Sequence, residues 1–194
     1  MQLKTSIPNK RTRIIVVGTI ILLSGMGAGI GYVFTHWGIQ GRYFPNTNWE
    51  GRPKIVKRDH DIFLRGKGTM KPLSTAIFSV QWKGWMMITE SGEYTFATNS
   101  DDGSFLSIDG QQVVDNGGAH GLKKATGTIS LEKGSHQIEV LYFTIGGFNM
   151  IETFWTPPNS SEEQLPGERL FSKRPSMIEF IVRQKVLSFG NRGI

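Results

Sequence analysis

Residues 92–116 read GEYTFATNSDDGSFLSIDGQQVVDN. Tyr94 and Phe96 alternate with polar neighbours, the period of two that marks a strand with one face buried. Leu106 and Ile108 alternate again, Asp109-Gly110 supplies a tight turn, and QQVVDN returns as a second strand. Outward from this stretch the texture persists. TGTISLEKGSHQIEVLYF (126–143) predicts two strands joined as a hairpin through Glu132-Lys133-Gly134-Ser135, and MIETFW (150–155) predicts another, ended by Pro157-Pro158. Trp82 and Trp85 have the spacing of core or sheet-face aromatics. Short strands with glycine-marked turns predict an all-β fold, an antiparallel β-sandwich or barrel.

The 194 residues contain no cysteine, which excludes a disulfide framework and a thiolate metal site. No G-x-S-x-G, H-E-x-x-H or Walker loop is present, and His36, His60, His120 and His136 have no metal-ligand spacing. The sequence therefore predicts a protein that is not an enzyme.

Residues 14–34, IIVVGTIILLSGMGAGIGYVF, form a run of 21 residues without charge, long enough to cross a hydrocarbon core of about 30 Å as a helix. Lys4, Lys10, Arg11 and Arg13 precede it with no acid between them, so the positive-inside rule keeps residues 1–13 in the cytoplasm. The rest then lies on the periplasmic or extracellular side of the inner membrane, held by one N-terminal transmembrane helix. A cleaved signal peptide is the rival, but its apolar core is shorter and a small-x-small site should follow it. Gly25, Gly27, Gly29 and Gly31 give two overlapping small-xxx-small spacings, which let another helix approach closely.

The net charge is +6, and residues 52–71 account for +5 of it. Arg52, Lys54, Lys57, Arg58, Arg65, Lys67 and Lys71 stand there against Asp59 and Asp61. Outside the cytoplasm such a stretch suits lipid headgroups or an acidic partner, not nucleic acid; a solvated loop is the plainer alternative. The C-terminal extension, 175–194, is too apolar for a free tail. PSMIEFIVRQKVLSF is either a short amphipathic helix with Pro175 at its start or a strand, and it predicts docking on this domain, a membrane surface or a partner.

Four stretches occur in one order: IQGRYFPNTNWEG (39–51), FSVQWKGWMMITESGEYTF (78–96), NSDDGSFLSIDGQQVVDN (99–116) and the Gly-His at 117–121. Together they resemble the PA-fourteen domain family, named for a fragment of a bacterial toxin's protective antigen, from about Trp37 to Phe171. The resemblance implies an antiparallel β-sandwich over 36–174, used mostly for binding. In the family's lectin branch, two consecutive aspartates joined by a cis peptide chelate Ca²⁺, which holds sugar hydroxyls. Asp101 and Asp102 match that pair, with Asn149 from the later loop as the remaining metal ligand and Gly147, Phe148 and Asn149 as the carbohydrate-binding positions. The aspartates alternatively serve the turn itself, by accepting backbone N–H groups.

Two functions follow. The first is an accessory or scaffold subunit of a larger membrane complex, with other membrane-protein subunits and lipids as partners. The second is a Ca²⁺-dependent carbohydrate-binding surface module, with glycan as partner.

Overall fold

The computed structural model describes residues 37–68 and 70–190. Two antiparallel sheets carry the chain, in an all-β arrangement that fits a sandwich. The larger sheet runs in the order β2 (Ile55–Asp59), β1 (Ile39–Phe44), β4 (Phe78–Ile88), β9 (Gly134–Thr144), β6 (Ser104–Ile108), β7 (Gln111–Asn116), with β12 (Leu170–Phe171) also on β4. The smaller runs β11 (Glu163–Gln164), β10 (Phe148–Thr156), β5 (Gly92–Asp101), β8 (Lys123–Leu131), with β3 (Phe63–Lys67) also on β10.

Alternation sets which side chains meet between the sheets. Phe78, Val80 and Trp82 of β4, Leu106 and Ile108 of β6, and Val140 and Tyr142 of β9 face Tyr94 and Phe96 of β5 and Ile151 and Trp155 of β10. Burying side chains of this size contributes about 1.5–3 kcal/mol each against exposure. Asp109-Gly110 is the β6–β7 turn: Ile108 pairs with Gln111, and both turn residues have positive φ (50° and 82°), as a two-residue type I′ turn requires.

The link at 132–133 differs from expectation. It does not close a hairpin: β8 pairs with β5 in the smaller sheet, whereas β9 pairs with β4 and β6 in the larger. Glu132-Lys133 therefore crosses from sheet to sheet, and the link is held by Ser91, whose Oγ accepts from Lys133 N–H (2.9 Å) and donates to Glu132 Oε2 (2.8 Å). The basic stretch is likewise not a loop. It builds the edge strands β2, with Lys57 and Arg58, and β3, with Arg65 and Lys67, one on each sheet.

The C-terminal extension is a helix, α1 (Met177–Gly190). Ser176 and Glu179 form a reciprocal capping box: Ser176 N–H donates to Glu179 Oε2 (2.6 Å) and Glu179 N–H to Ser176 Oγ (3.2 Å). Phe180 is buried with Met87 and Phe171, flanked by Trp85 and Met177. Trp82 and Trp85 thus serve opposite faces of β4, one the core and the other the surface beneath α1. Among the described residues no helix is long and apolar enough to cross a membrane. The span at 14–34 and its Gly25, Gly27, Gly29 and Gly31 lie outside the described residues.

Candidate functional site

The sequence pairs Asp101 with Asp102, and the fold puts them at the β5–β6 corner, joined by a cis peptide bond. Each carboxylate has its own environment. Asp102 is buried (5% exposed) and links two distant loops: Oδ1 accepts from His120 N–H (3.0 Å) and Oδ2 from Ile145 N–H (2.9 Å). Asp101 has no hydrogen bond to its carboxylate among the described residues. Burial and the neighbouring Asp102 charge hold its pKa above the usual carboxylate range, opposed by His120. Of the two carboxylates, that of Asp102 has two backbone donors and that of Asp101 has none among the described residues.

The later loop is tied into the same framework. Asn149 is buried (3% exposed); its Oδ1 accepts from Thr144 Oγ1 (3.1 Å) and its Nδ2 donates to Gly68 O (2.9 Å). Gly68 N–H in turn donates to Gly147 O (2.8 Å). Asp102, Ile145, Thr144, Asn149 and Gly68 therefore connect the β5–β6 corner, the β9–β10 loop and the end of β3. His120 supports the corner through its main chain, while its ring nitrogens face the Gly121 and Asn116 carbonyls (2.8 and 3.1 Å).

A Ca²⁺ ion takes six to eight oxygen ligands. The Asp101 carboxylate, which accepts no hydrogen bond among the described residues, and the remaining lone pairs of Asp102 are oxygen donors of the kind such an ion takes. Asn149 suits it less, since both ends of its amide already hold the fold. Among the described residues there is no group of three or more His, Cys, Asp or Glu side chains that could hold a metal ion.

The cations of 52–71 separate by role. Lys57 pairs with Asp59 (2.7 Å) and lies over the Tyr43 ring, and Lys54 Nζ donates to Leu73 O (3.0 Å). Asp59 also accepts from Tyr43 (2.7 Å) and Trp82 (2.8 Å), so that part of the stretch holds β1, β2 and β4 together. Arg52 precedes β2, Arg58 lies within it, and Lys71 opens a short turn of 3₁₀ helix. Arg65 and Lys67 instead lie on β3, opposite Met150 and Phe148, and the Arg65 guanidinium sits 5.9 Å from the Phe148 ring centre. The structure thus brings these two cations beside Phe148 and Asn149, one strand removed from Asp101. The PA14 domain model matches residues 37–169, well over half the chain.

The chain belongs to the PA14 domain family. It is 28% identical over 137 residues to the anti-sigma-I factor RsgI3 of Acetivibrio thermocellus, covering 69% of this chain and 21% of that protein. Against the protective antigen of Bacillus anthracis it is 28% identical over 144 residues, 69% of this chain and 18% of that protein. The chain thus spans about a fifth of the length of these relatives. Among solved structures, an anti-sigma factor domain-containing protein from Clostridium clariflavum superposes with a TM-score of 0.66 at 26% identity, covering 73% of this chain and 49% of that one. The PA14 sugar-binding domain from an RTX adhesin superposes with a TM-score of 0.61 at 16% identity, over 71% of this chain and 99% of that one, a likeness of fold.

Proposed function

We propose that this PA14 protein is a non-catalytic interaction module, anchored by residues 14–34 and acting as an accessory subunit on the outer face of a larger membrane complex. The observation that carries this reading is α1. It docks on its own domain through Phe180, yet keeps Ile178 75% and Ile181 47% exposed. Two aliphatic side chains three residues apart share one helix face, and a folded, pre-positioned face of this kind suits a protein partner. The composition of the uncharged run at 14–34, with Gly25, Gly27, Gly29 and Gly31, supports the same reading, since small residues at this spacing favour the close approach of membrane spans. The test is solubilisation of native membranes in mild detergent, capture of the tagged full-length chain, and mass spectrometry of the native-gel band. Stoichiometric co-migration with other membrane proteins is the expected result; migration alone would overturn the reading.

The Asp101–Asp102 pair, with an Asp101 carboxylate that accepts no hydrogen bond among the described residues, favours a second reading, a glycan-binding module. Bound there, Ca²⁺ would supply the positive charge that holds sugar hydroxyls, with Asp101 and Asp102 as its carboxylate ligands. The sugar-binding PA14 domain of the adhesin is consistent with this use of the fold. Calorimetric titration of Ca²⁺, followed by a glycan array with and without chelator, tests it: no Ca²⁺ uptake and no chelator-sensitive glycan signal would reject it.

A further inference from the structure

We propose that the outward face of the smaller sheet, beside the Asp101–Asp102 corner, binds an acidic saccharide, with Arg65 and Lys67 receiving its anionic group. The inference rests on the glycan reading and adds the class of sugar.

Register places the groups. Arg65 pairs with Met150, and Met150 pairs on its other side with Asp101, so the three side chains share one row and one face. Ile151, one residue on, is a core residue, so the Met150 row is the outward one, with Arg65 exposed, Asp101 half-buried and Met150 itself buried (5% exposed). With strands about 4.8 Å apart, Arg65 and Asp101 stand about 10 Å apart across the sheet, a distance that one or two sugar rings span. Lys67 pairs with Phe148 and continues the same face towards the β9–β10 loop.

The chemistry of the face is divided. Arg65 and Lys67 make no ion pair among the described residues, and Arg65 lies over the half-buried Phe148 ring. Glu152, the acid nearest them on this face, is engaged by Asn99 Nδ2 (3.2 Å) and sits on the side of Arg65 away from Lys67. At the other end the Asp101 carboxylate accepts no hydrogen bond among the described residues, and a Ca²⁺ ion held there with Asp102 would take sugar hydroxyls. A ligand for this face therefore carries hydroxyls at one end and an anion at the other, with an apolar ring face beside the half-buried Phe148. A uronate-containing saccharide has all three; an acidic peptide segment lacks the hydroxyls and the flat C–H face. Arg65 and Lys67 set the orientation, because they draw the anion to the β3 end. The Gly68–Gly147 and Asn149–Gly68 hydrogen bonds fix that end relative to the loop, so the face is pre-formed.

Binding of the full-length chain in detergent micelles, with Ca²⁺ present throughout, is measured by calorimetry. The probes are an alginate hexamer, a neutral cellohexaose and polyglutamate. The expected result is an alginate affinity about tenfold above that of the neutral hexamer, lost in Arg65→Ala with Lys67→Ala while neutral binding persists. Both positions are exposed, and a thermal melt confirms that the double variant folds. Equal affinity for the two hexamers, or a preference for alginate that survives the double variant, overturns the inference and leaves the glycan reading standing. Binding of neither hexamer overturns the inference, and the glycan reading is then decided separately by the Ca²⁺ titration and the glycan array. Polyglutamate binding as tight as alginate, with the same dependence on Arg65 and Lys67, overturns the saccharide as occupant.

Discussion

At the scale of single residues, two adjacent aspartates divide the work between them. Asp102 accepts two backbone N–H groups, from His120 and Ile145, in a nearly closed environment. In Asp102→Ala both donors lose their partner, at a cost of about 1–3 kcal/mol for each that stays buried. Hydrogen exchange at those two amides should accelerate more than at the centre of β4, and urea denaturation should show the lower midpoint. Asp101 behaves in the opposite sense. Its folded pKa is raised, so the folded protein binds a proton there more readily than the unfolded chain, and the ionised form at neutral pH opposes folding. Asp101→Asn should therefore raise the melting temperature at neutral pH. The gain should fade as the pH drops through that raised pKa into the acid range, where the native carboxyl is protonated too. Adjacent carboxylates in the sequence signal a need for compensation. They do not show where it comes from, because the donors lie 18 and 43 residues away along the chain.

At the scale of elements, local chemistry is legible and the partner of each strand is not. The Asp109-Gly110 turn, the alternation of β5 and the strand before Pro157 follow from residues within a few positions. So does the Ser176–Glu179 capping box, a signal that resolves the choice between helix and strand for the tail. The link at 132–133 has the same local signal as a hairpin, yet its strands belong to different sheets, because partner choice depends on the packing of the whole core. Gly127 shows the same limit. A methyl group there would lie 1.7 Å from the Val113 carbonyl oxygen, so β8 can run beside β7 only without a side chain. Gly127→Ala forces the backbones apart and should cost about 1–3 kcal/mol or more, read as a lower urea midpoint. Phe180→Ala is a milder test of packing. It removes the anchor of α1, worth about 1.5–3 kcal/mol of buried side chain, and limited proteolysis should then cut within 175–190 while the sandwich persists.

At the scale of the molecule, the two proposed binding surfaces are separated along β4. The Thr144 end of β9 pairs with Phe78, whereas β12, next to α1, pairs with Met86 and Trp85. Eight residues of strand at about 3.3 Å each put the aspartate corner roughly 25 Å from the level of α1. Family membership was legible in the sequence because its motifs recur in order, but this separation was not, since it depends on register. Sites so far apart, with no shared side chains, act independently. Ile178→Asp with Ile181→Asp places charge on the outward face of α1 without touching Phe180. It should abolish co-migration with a membrane partner while leaving saccharide affinity within about twofold of the native chain. Arg65→Ala with Lys67→Ala should do the reverse. The two variants, measured side by side by native gel and calorimetry, separate the readings: loss of both activities in either one would mean a single shared surface and would contradict the division argued from the register of β4.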